Sequence, residues 1–366
     1  MTGLEHSALQ KQNEKRYGDN HELGYLPENF TDIVTELPHL IESRLLKYFP
    51  NAQKDTCLIT EFSVPHSSYP IFAFQVNAGT VIKKIYVKFA PIYSEKNEGL
   101  VEYENLRHID ERFKKKQGYG SPRPLEFIRE FNALVMEGVE GIAFRKVLLR
   151  DNRLGASQVH RSALKKIVER CGLWLRDFHR INSIERVSIE TRFKTSLQLA
   201  WQRLKPSIRD TRLAVELQGI IDRRSGMQTI PTSRKHGDLA LDNILVEEQR
   251  VSVLDVSYED RDVIYRDIAF FMTNLKTINN LPRYLFYDFS FARQLCGDFL
   301  SAYGHSKFEG DNATLQFYLI EAVLERFESQ ENTIKIKFGA GLSNLLVTRL
   351  YKKYARILGE IIEDHP

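Results

Sequence analysis

Apolar residues along this chain change their period partway through, and the change divides it in two. Residues 31–48 place Ile33, Val34, Leu37, Leu40, Ile41, Leu45 and Leu46 at helical spacing, which predicts an amphipathic helix that Pro38 could divide. Short β-branched and aromatic runs follow at residues 57–64, 71–76 and 81–90, and they predict strands; Asn77-Ala78-Gly79 supplies a turn between the last two. Residues 98–113 return to helical spacing through Leu100, Val101, Leu106 and Ile109, and two more strands are predicted at 125–129 and 133–136. After Gly141 the pattern becomes mostly helical: 162–181, 191–224, 284–303, 314–327 and 342–362, with helices running from Ile268 to the end. The exception is a pair of apolar runs, Asn243-Ile244-Leu245-Val246 and Val251 to Leu254. The polar link Glu247-Glu248-Gln249-Arg250 makes them a predicted hairpin. The expected fold class is α+β, with a small β-rich part followed by a large helical one. The expected division is a polar segment and helix at 1–56, a β-rich lobe at 57–137 and a helical lobe at 138–366, with residues 1–25 polar and frayed.

Composition narrows the class. A 366-residue chain with 42% hydrophobic and 27% charged residues buries a sizeable core and is globular. A formal charge of only +4, with no polybasic tail, argues against a nucleic-acid partner. Three dispersed cysteines, Cys57, Cys171 and Cys296, suggest a reducing compartment with neither a disulfide framework nor a thiolate metal site. The first 24 residues lack an apolar signal core, and no apolar run reaches the ~18 residues of a membrane span. A soluble, cytoplasmic protein is expected.

The candidate chemistry lies at His236-Gly237-Asp238-Leu239-Ala240-Leu241-Asp242-Asn243 and at Asp255, which follows the run Val251 to Leu254. Alone, each of Asp238, Asn243 and Asp255 reads as a solvated turn residue. Their order and spacing match what phosphoryl transfer needs: a carboxylate to take a proton, then an amide oxygen and a second carboxylate to hold Mg²⁺. A hairpin between them would return Asn243 and Asp255 to one end. The five-residue step from Asp238 to Asn243 is that of the protein-kinase catalytic loop. Gly237, standing where protein kinases have Arg, makes the segment resemble instead the aminoglycoside phosphotransferase and choline-kinase-like families.

That resemblance implies a bilobal protein-kinase-like fold, with ATP and Mg²⁺ as cofactors. It implies Asp238 as catalytic base and Asn243 and Asp255 as metal ligands. Lys88, interrupting the apolar strand Ile85-Tyr86-Val87-Lys88-Phe89, would meet the nucleotide phosphates. Its partner would be Glu98, Glu102 or Glu104. Glu102 stands at the inner edge of the buried stripe and is the expected one, with Glu104 as fallback. Lys83 and Lys84 are expected to face solvent. Leu134-Val135-Met136-Glu137-Gly138-Val139-Glu140-Gly141 resembles the hinge, where Glu137 and Val139 would face the base. The phosphate-covering turn lacks glycine, and Ser67 and Ser68 would take its place, although simple turn residues look the same. His236 and Asp267 (in Arg266-Asp267-Ile268-Ala269) are implied to support the loop; Asp267 also reads as a helix N-cap. His179 reads as a packing histidine.

Only eleven residues separate Asp255 from Asp267, with no Ala-Pro-Glu element, so no peptide-docking segment is expected. The expected acceptor is a free hydroxyl of a sugar-like molecule, a glycan or an aminoglycoside. Residues 142–224 hold 19 Lys+Arg against 8 Asp+Glu, a net +11 that leans towards a neutral or anionic acceptor. Glu259, Asp260 and Asp262 leave room for a cation. An atypical protein kinase and a catalytically silent nucleotide-binding protein are the alternatives.

Overall fold

The computed structural model describes residues 30–53, 58–62, 70–90, 98–188, 202, 211–224, 229–248, 250–256, 260–278, 287–304, 312–338 and 340–364. The fold class is α+β, in two compact units: one spans Met1–Lys116, Gly120–Glu140 and Ser252–Tyr258, the other Gln117–Tyr119, Gly141–Val251 and Glu259–Pro366.

The first unit is built on an antiparallel sheet of order β1-β2-β3-β6-β5: β1 Leu58–Phe62, β2 Ile71–Ala78, β3 Val81–Phe89, β5 Pro124–Ile128 and β6 Ala133–Glu137. The turn between β2 and β3 is two residues long, tighter than the sequence suggests, because pairing continues to Ala78 opposite Val81. Helix α1, Phe30–Tyr48, runs through Pro38 undivided. Ile33, Leu37, Ile41 and Leu45 of α1 share one core with Phe72, Phe74, Val76, Ile85 and Val87 of the sheet. Each such side chain contributes about 1.5–3 kcal/mol on burial, so α1 is an integral layer of this unit. Helix α2, Glu98–Phe113, buries Val101, Leu106 and Ile109.

The second unit is mostly helical: α3 Phe144–Asp151, α4 Gln158–Ile181, α5 Thr211–Arg224, α6 Ile264–Thr277, α7 Phe289–Tyr303, α8 Asn312–Lys337 and α9 Ala340–Asp364. The expected helix at 191–224 is described only as α5 and residue 202, and the expected helix at 284–303 starts later, at Phe289. There the Asp288 carboxylate accepts from the Phe291 amide and caps the helix. Short strands that the periodicity did not indicate also appear. β8 Glu185–Ser188, β9 Thr229–Arg234 and β12 Arg261–Val263 form a three-stranded sheet. A second small sheet has the order β4-β11-β10-β7, with β4 Tyr119–Gly120, β7 Ile142–Ala143, β10 Ile244–Glu247 and β11 Arg250–Val253. β10 and β11 are the anticipated hairpin, and the chain enters the first unit within β11, at Ser252. Among the described residues no helix is long and apolar enough to cross a membrane.

Candidate active site

In the first unit Lys88 stands on β3 with its ammonium 2.8 Å from Glu102 Oε2 and 2.7 Å from Asp255 Oδ1. Lys88 and Glu102 are almost entirely buried, whereas the Asp255 side chain is 47% exposed. Burial on its own would lower the lysine pKa. The charges of Glu102 and Asp255 outweigh it and hold Lys88 above its usual range, so it is a fixed cation. Glu102 and Asn105 lie one turn apart on the buried face of α2. Asn105 Nδ2 donates to the carbonyl of Val256 at 2.6 Å, which ties the backbone beside Asp255 to the helix that carries Glu102. Asp255 has a left-handed backbone (φ 57°), sparsely populated outside glycine. Glu104 is exposed. The Glu98 side chain, Ser67, Ser68 and Glu259 lie outside the described residues.

β6 ends in the anticipated hinge segment. The Glu137 amide donates to the Arg123 carbonyl at 2.9 Å, and its carboxylate pairs with Lys83 (2.6 Å) and Arg123 (2.7 Å). Lys83 and Lys84, expected to be merely solvent-facing, are thus partnered, Lys84 with Glu140. Gly138 donates its amide to the Lys84 carbonyl at 2.7 Å, and a Cβ at Gly138 would stand 2.5 Å from that of Lys84, so only glycine allows the approach. Val139 is half-buried.

In the second unit the segment 236–243 is held from several sides. Gly237 has φ 81°, a conformation that a side chain disfavours. Asp267, in the first turn of α6, is not that helix's N-cap, which is Val263. Its oxygens accept from the amides of His236 (2.8 Å) and Gly237 (2.9 Å) and meet His179 Nε2 at 3.1 Å. Burial would raise the Asp267 pKa. The hydrogen bond and charge of His179, with His236, overcome this and hold the carboxyl below its ordinary range. His179 Nδ1 meets Tyr303 Oη at 2.8 Å, and the buried His236 ring takes the Asp238 amide on Nδ1 at 3.3 Å. Asn243 Nδ2 donates to both the carbonyl (3.0 Å) and Oδ2 (2.9 Å) of Asp238. On the outer side Arg145 of α3 pairs with Asp242 at 2.6 Å, and its amide donates to the Leu241 carbonyl. Leu239, Leu241 and Ile244 anchor the segment in the core.

The structure therefore brings together Lys88, Glu102 and Asp255 in one unit, and His236, Asp238, Asn243 and Asp267 in the other. Sequence reasoning missed Asn105, Arg123, Arg145 and Tyr303. Only Asn105 carried a usable signal, as a polar residue three positions after Glu102 on the same buried stripe.

Among the described residues no group of three or more His, Cys, Asp or Glu is arranged for a metal ion. Mg²⁺ on a nucleotide does not require one, since it takes one or two protein oxygens plus phosphate oxygens and water. With Nδ2 of Asn243 committed to Asp238, Oδ1 is left as its donor atom, and half-exposed Asp255 offers carboxylate oxygen. Taken singly, each is a hard oxygen donor of the kind that ion takes.

A sequence profile described as Phosphotransferase enzyme family matches residues 72–282. No curated protein matches significantly. Among solved structures a glucosamine kinase superposes with a TM-score of 0.57 at 12% identity, covering 89% of this chain and 84% of that one. A putative aminoglycoside phosphotransferase from Ralstonia eutropha JMP134 gives 0.51 at 16%, covering 90% and 99%. A choline kinase from Cryptosporidium parvum Iowa II gives 0.50 at 14%, covering 89% and 97%. At these identities the likeness is one of fold, the protein-kinase-like fold.

Proposed function

The chain belongs to the phosphotransferase enzyme family, and from that premise we propose that it is an ATP-dependent kinase of a small hydroxylated acceptor, sugar-like, glycan or aminoglycoside. The observation that carries this reading is the buried Lys88–Glu102 pair with Asp255 on the same ammonium, a fixed cation of the kind that a nucleotide's phosphates need. Asp238 is the base: Asn243 occupies its Oδ2, which leaves Oδ1 for the acceptor hydroxyl. The acceptor oxygen forms a bond to the γ-phosphorus and its proton passes to Asp238. The bond from that phosphorus to the bridging oxygen breaks, and ADP leaves with the electron pair. Lys88, oriented by Glu102, takes up negative charge on non-bridging oxygens. Asn243 and Asp255 are the residues that would hold Mg²⁺, which when bound neutralises phosphate charge. Backbone groups of Glu137 and Val139 receive the base; the Glu137 amide is already used, so its part falls to the carbonyl. Ser67 and Ser68 remain candidates for the phosphates, and His236 and Asp267 for support of the loop. Only residues 256–260 separate Asp255 from β12, and α6 follows at once, which favours a small acceptor over a docked peptide.

The test is Mg-ATP turnover over aminoglycosides, free sugars, amino alcohols and glycans, beside Asp238→Asn. The expected outcome is ADP release that requires one acceptor class and falls by about 10²–10⁴-fold in the variant, with ATP binding retained. Turnover that survives Asp238→Asn removes Asp238 from the role of base. Label entering protein instead would transfer the reading to a protein kinase.

A further inference from the structure

Arg123 follows no sequence motif, yet it joins two parts of the first unit. It lies just before β5. Its Nε donates to Glu137 Oε2 at 2.7 Å, and its Nη2 to the carbonyl of Tyr48, the last residue of α1, at 3.3 Å. Its guanidinium lies 5.7 Å from the centroid of the Phe49 ring, and its own carbonyl accepts the Glu137 amide at 2.9 Å. One residue thus grips Glu137 by both backbone and side chain and holds the end of α1 with the same guanidinium.

That end is itself fixed. Tyr48 and Phe49 are buried in the sheet core. Glu126 of β5 accepts from Arg44 (2.6 Å), Lys47 (2.8 Å) and the Tyr48 hydroxyl (2.8 Å). Burial works against the Glu126 charge, but those three donors prevail and hold its pKa below the ordinary range. The Arg123–Glu137 pair is exposed on the arginine side, so its Coulomb attraction is modest. What distinguishes it is geometry. The planar guanidinium fork donates in two fixed directions from separate nitrogens, a preorganisation that the rotatable ammonium of a flexible lysine stem lacks.

We propose that Arg123 is a positioning residue for the nucleotide base, which sets the backbone of Glu137–Val139 against the rigid end of α1. The inference rests on the reading that this backbone receives the base. It gives α1 a function: a fixed abutment for the hinge strand.

The experiment measures Kd for Mg-ATP and Mg-ITP by calorimetry on the full chain, which needs no acceptor. Inosine exchanges the 6-amino donor for a carbonyl acceptor, so the ratio Kd(ITP)/Kd(ATP) reports the base alone. The wild type is expected to prefer ATP. Arg123→Ala should compress that ratio about fivefold. Arg123→Lys, which keeps the charge beside Glu137 but loses the fork, should fall between. Thermal unfolding run alongside separates positioning from stability: a mere staple would lower Tm and leave the ratio alone. A wild type that prefers ATP, with the ratio kept in Arg123→Ala, overturns the role of Arg123 and leaves the hinge reading standing. A wild type that does not discriminate overturns both.

Discussion

Asp255 pairs with Lys88 while holding a left-handed backbone that only a short polar side chain or glycine tolerates readily. Glycine would relax the backbone and remove the carboxylate that meets the Lys88 ammonium. Asp255→Asn is the informative substitution, because asparagine accepts the same φ and changes only the charge. If Asp255 serves the metal, the variant should lose at least about tenfold in affinity for ATP with Mg²⁺ present and much less without it. Calorimetry with and without the ion makes the comparison, and an unchanged Mg²⁺ dependence would take Asp255 out of the metal role. The candidate residues could be picked out because order and spacing are properties of the sequence, and Glu102 could be matched to Lys88 because it lies only 14 positions further on. Partners much farther along the chain could not. Asn105 meets a carbonyl 151 positions away, and His179 meets a carboxylate 88 positions away. No local pattern carries such a distance.

Helix α6 braces the segment 236–243 through one buried carboxylate. Asp267 has a folded-state pKa below its unfolded value, so its contribution to stability is fully present above the unfolded value, about 3.9. It is lost as pH falls through the lower folded one. Asp267→Asn removes the charge that two amides and a histidine are arranged around. The expected cost is about 3 kcal/mol at neutral pH; it begins to shrink below about pH 4, where the unfolded chain takes up its proton, and disappears once the folded protein has taken up its own. Urea unfolding of both proteins between pH 3 and 7 would show the two stabilities converging on the acid side. A gap independent of pH would mean that the carboxylate acts by shape alone. Elements of this length were readable from sequence because a helical stripe repeats over several turns. β4, β7 and β12 escaped because two or three residues are too few for any period, β8 because Glu185-Arg186-Val187-Ser188 has a single apolar residue, and β9 because Pro231 and four hydroxyl or basic residues make Thr229–Arg234 look like a turn.

At the scale of the whole molecule, the sequence count of +11 over residues 142–224 overstates the field an acceptor would meet. Arg145, Arg161 and Lys165 are paired with Asp242, Asp288 and Asp298, all outside that window. Three of the excess charges are therefore answered by neighbours that only the fold supplies, and acceptor charge cannot be read from a window of sequence. The donor side has a sharper consequence. A ligand that binds only the folded chain raises its stability by RT ln(1 + [L]/Kd), about 2.7 kcal/mol at a hundredfold excess over Kd. Mg-ATP should therefore raise the unfolding midpoint of the full chain without any acceptor present. The rise should shrink when EDTA removes the metal, because the Lys88 ammonium then meets the phosphates without the ion that offsets their charge. It should shrink further in Lys88→Ala, where Glu102 is left buried without its cation. Since that variant also lowers the starting midpoint, the quantity to compare is the Mg-ATP shift within each protein. A full shift in Lys88→Ala would place the nucleotide somewhere other than beside β3 and α2, and the proposed activity would lose its donor site.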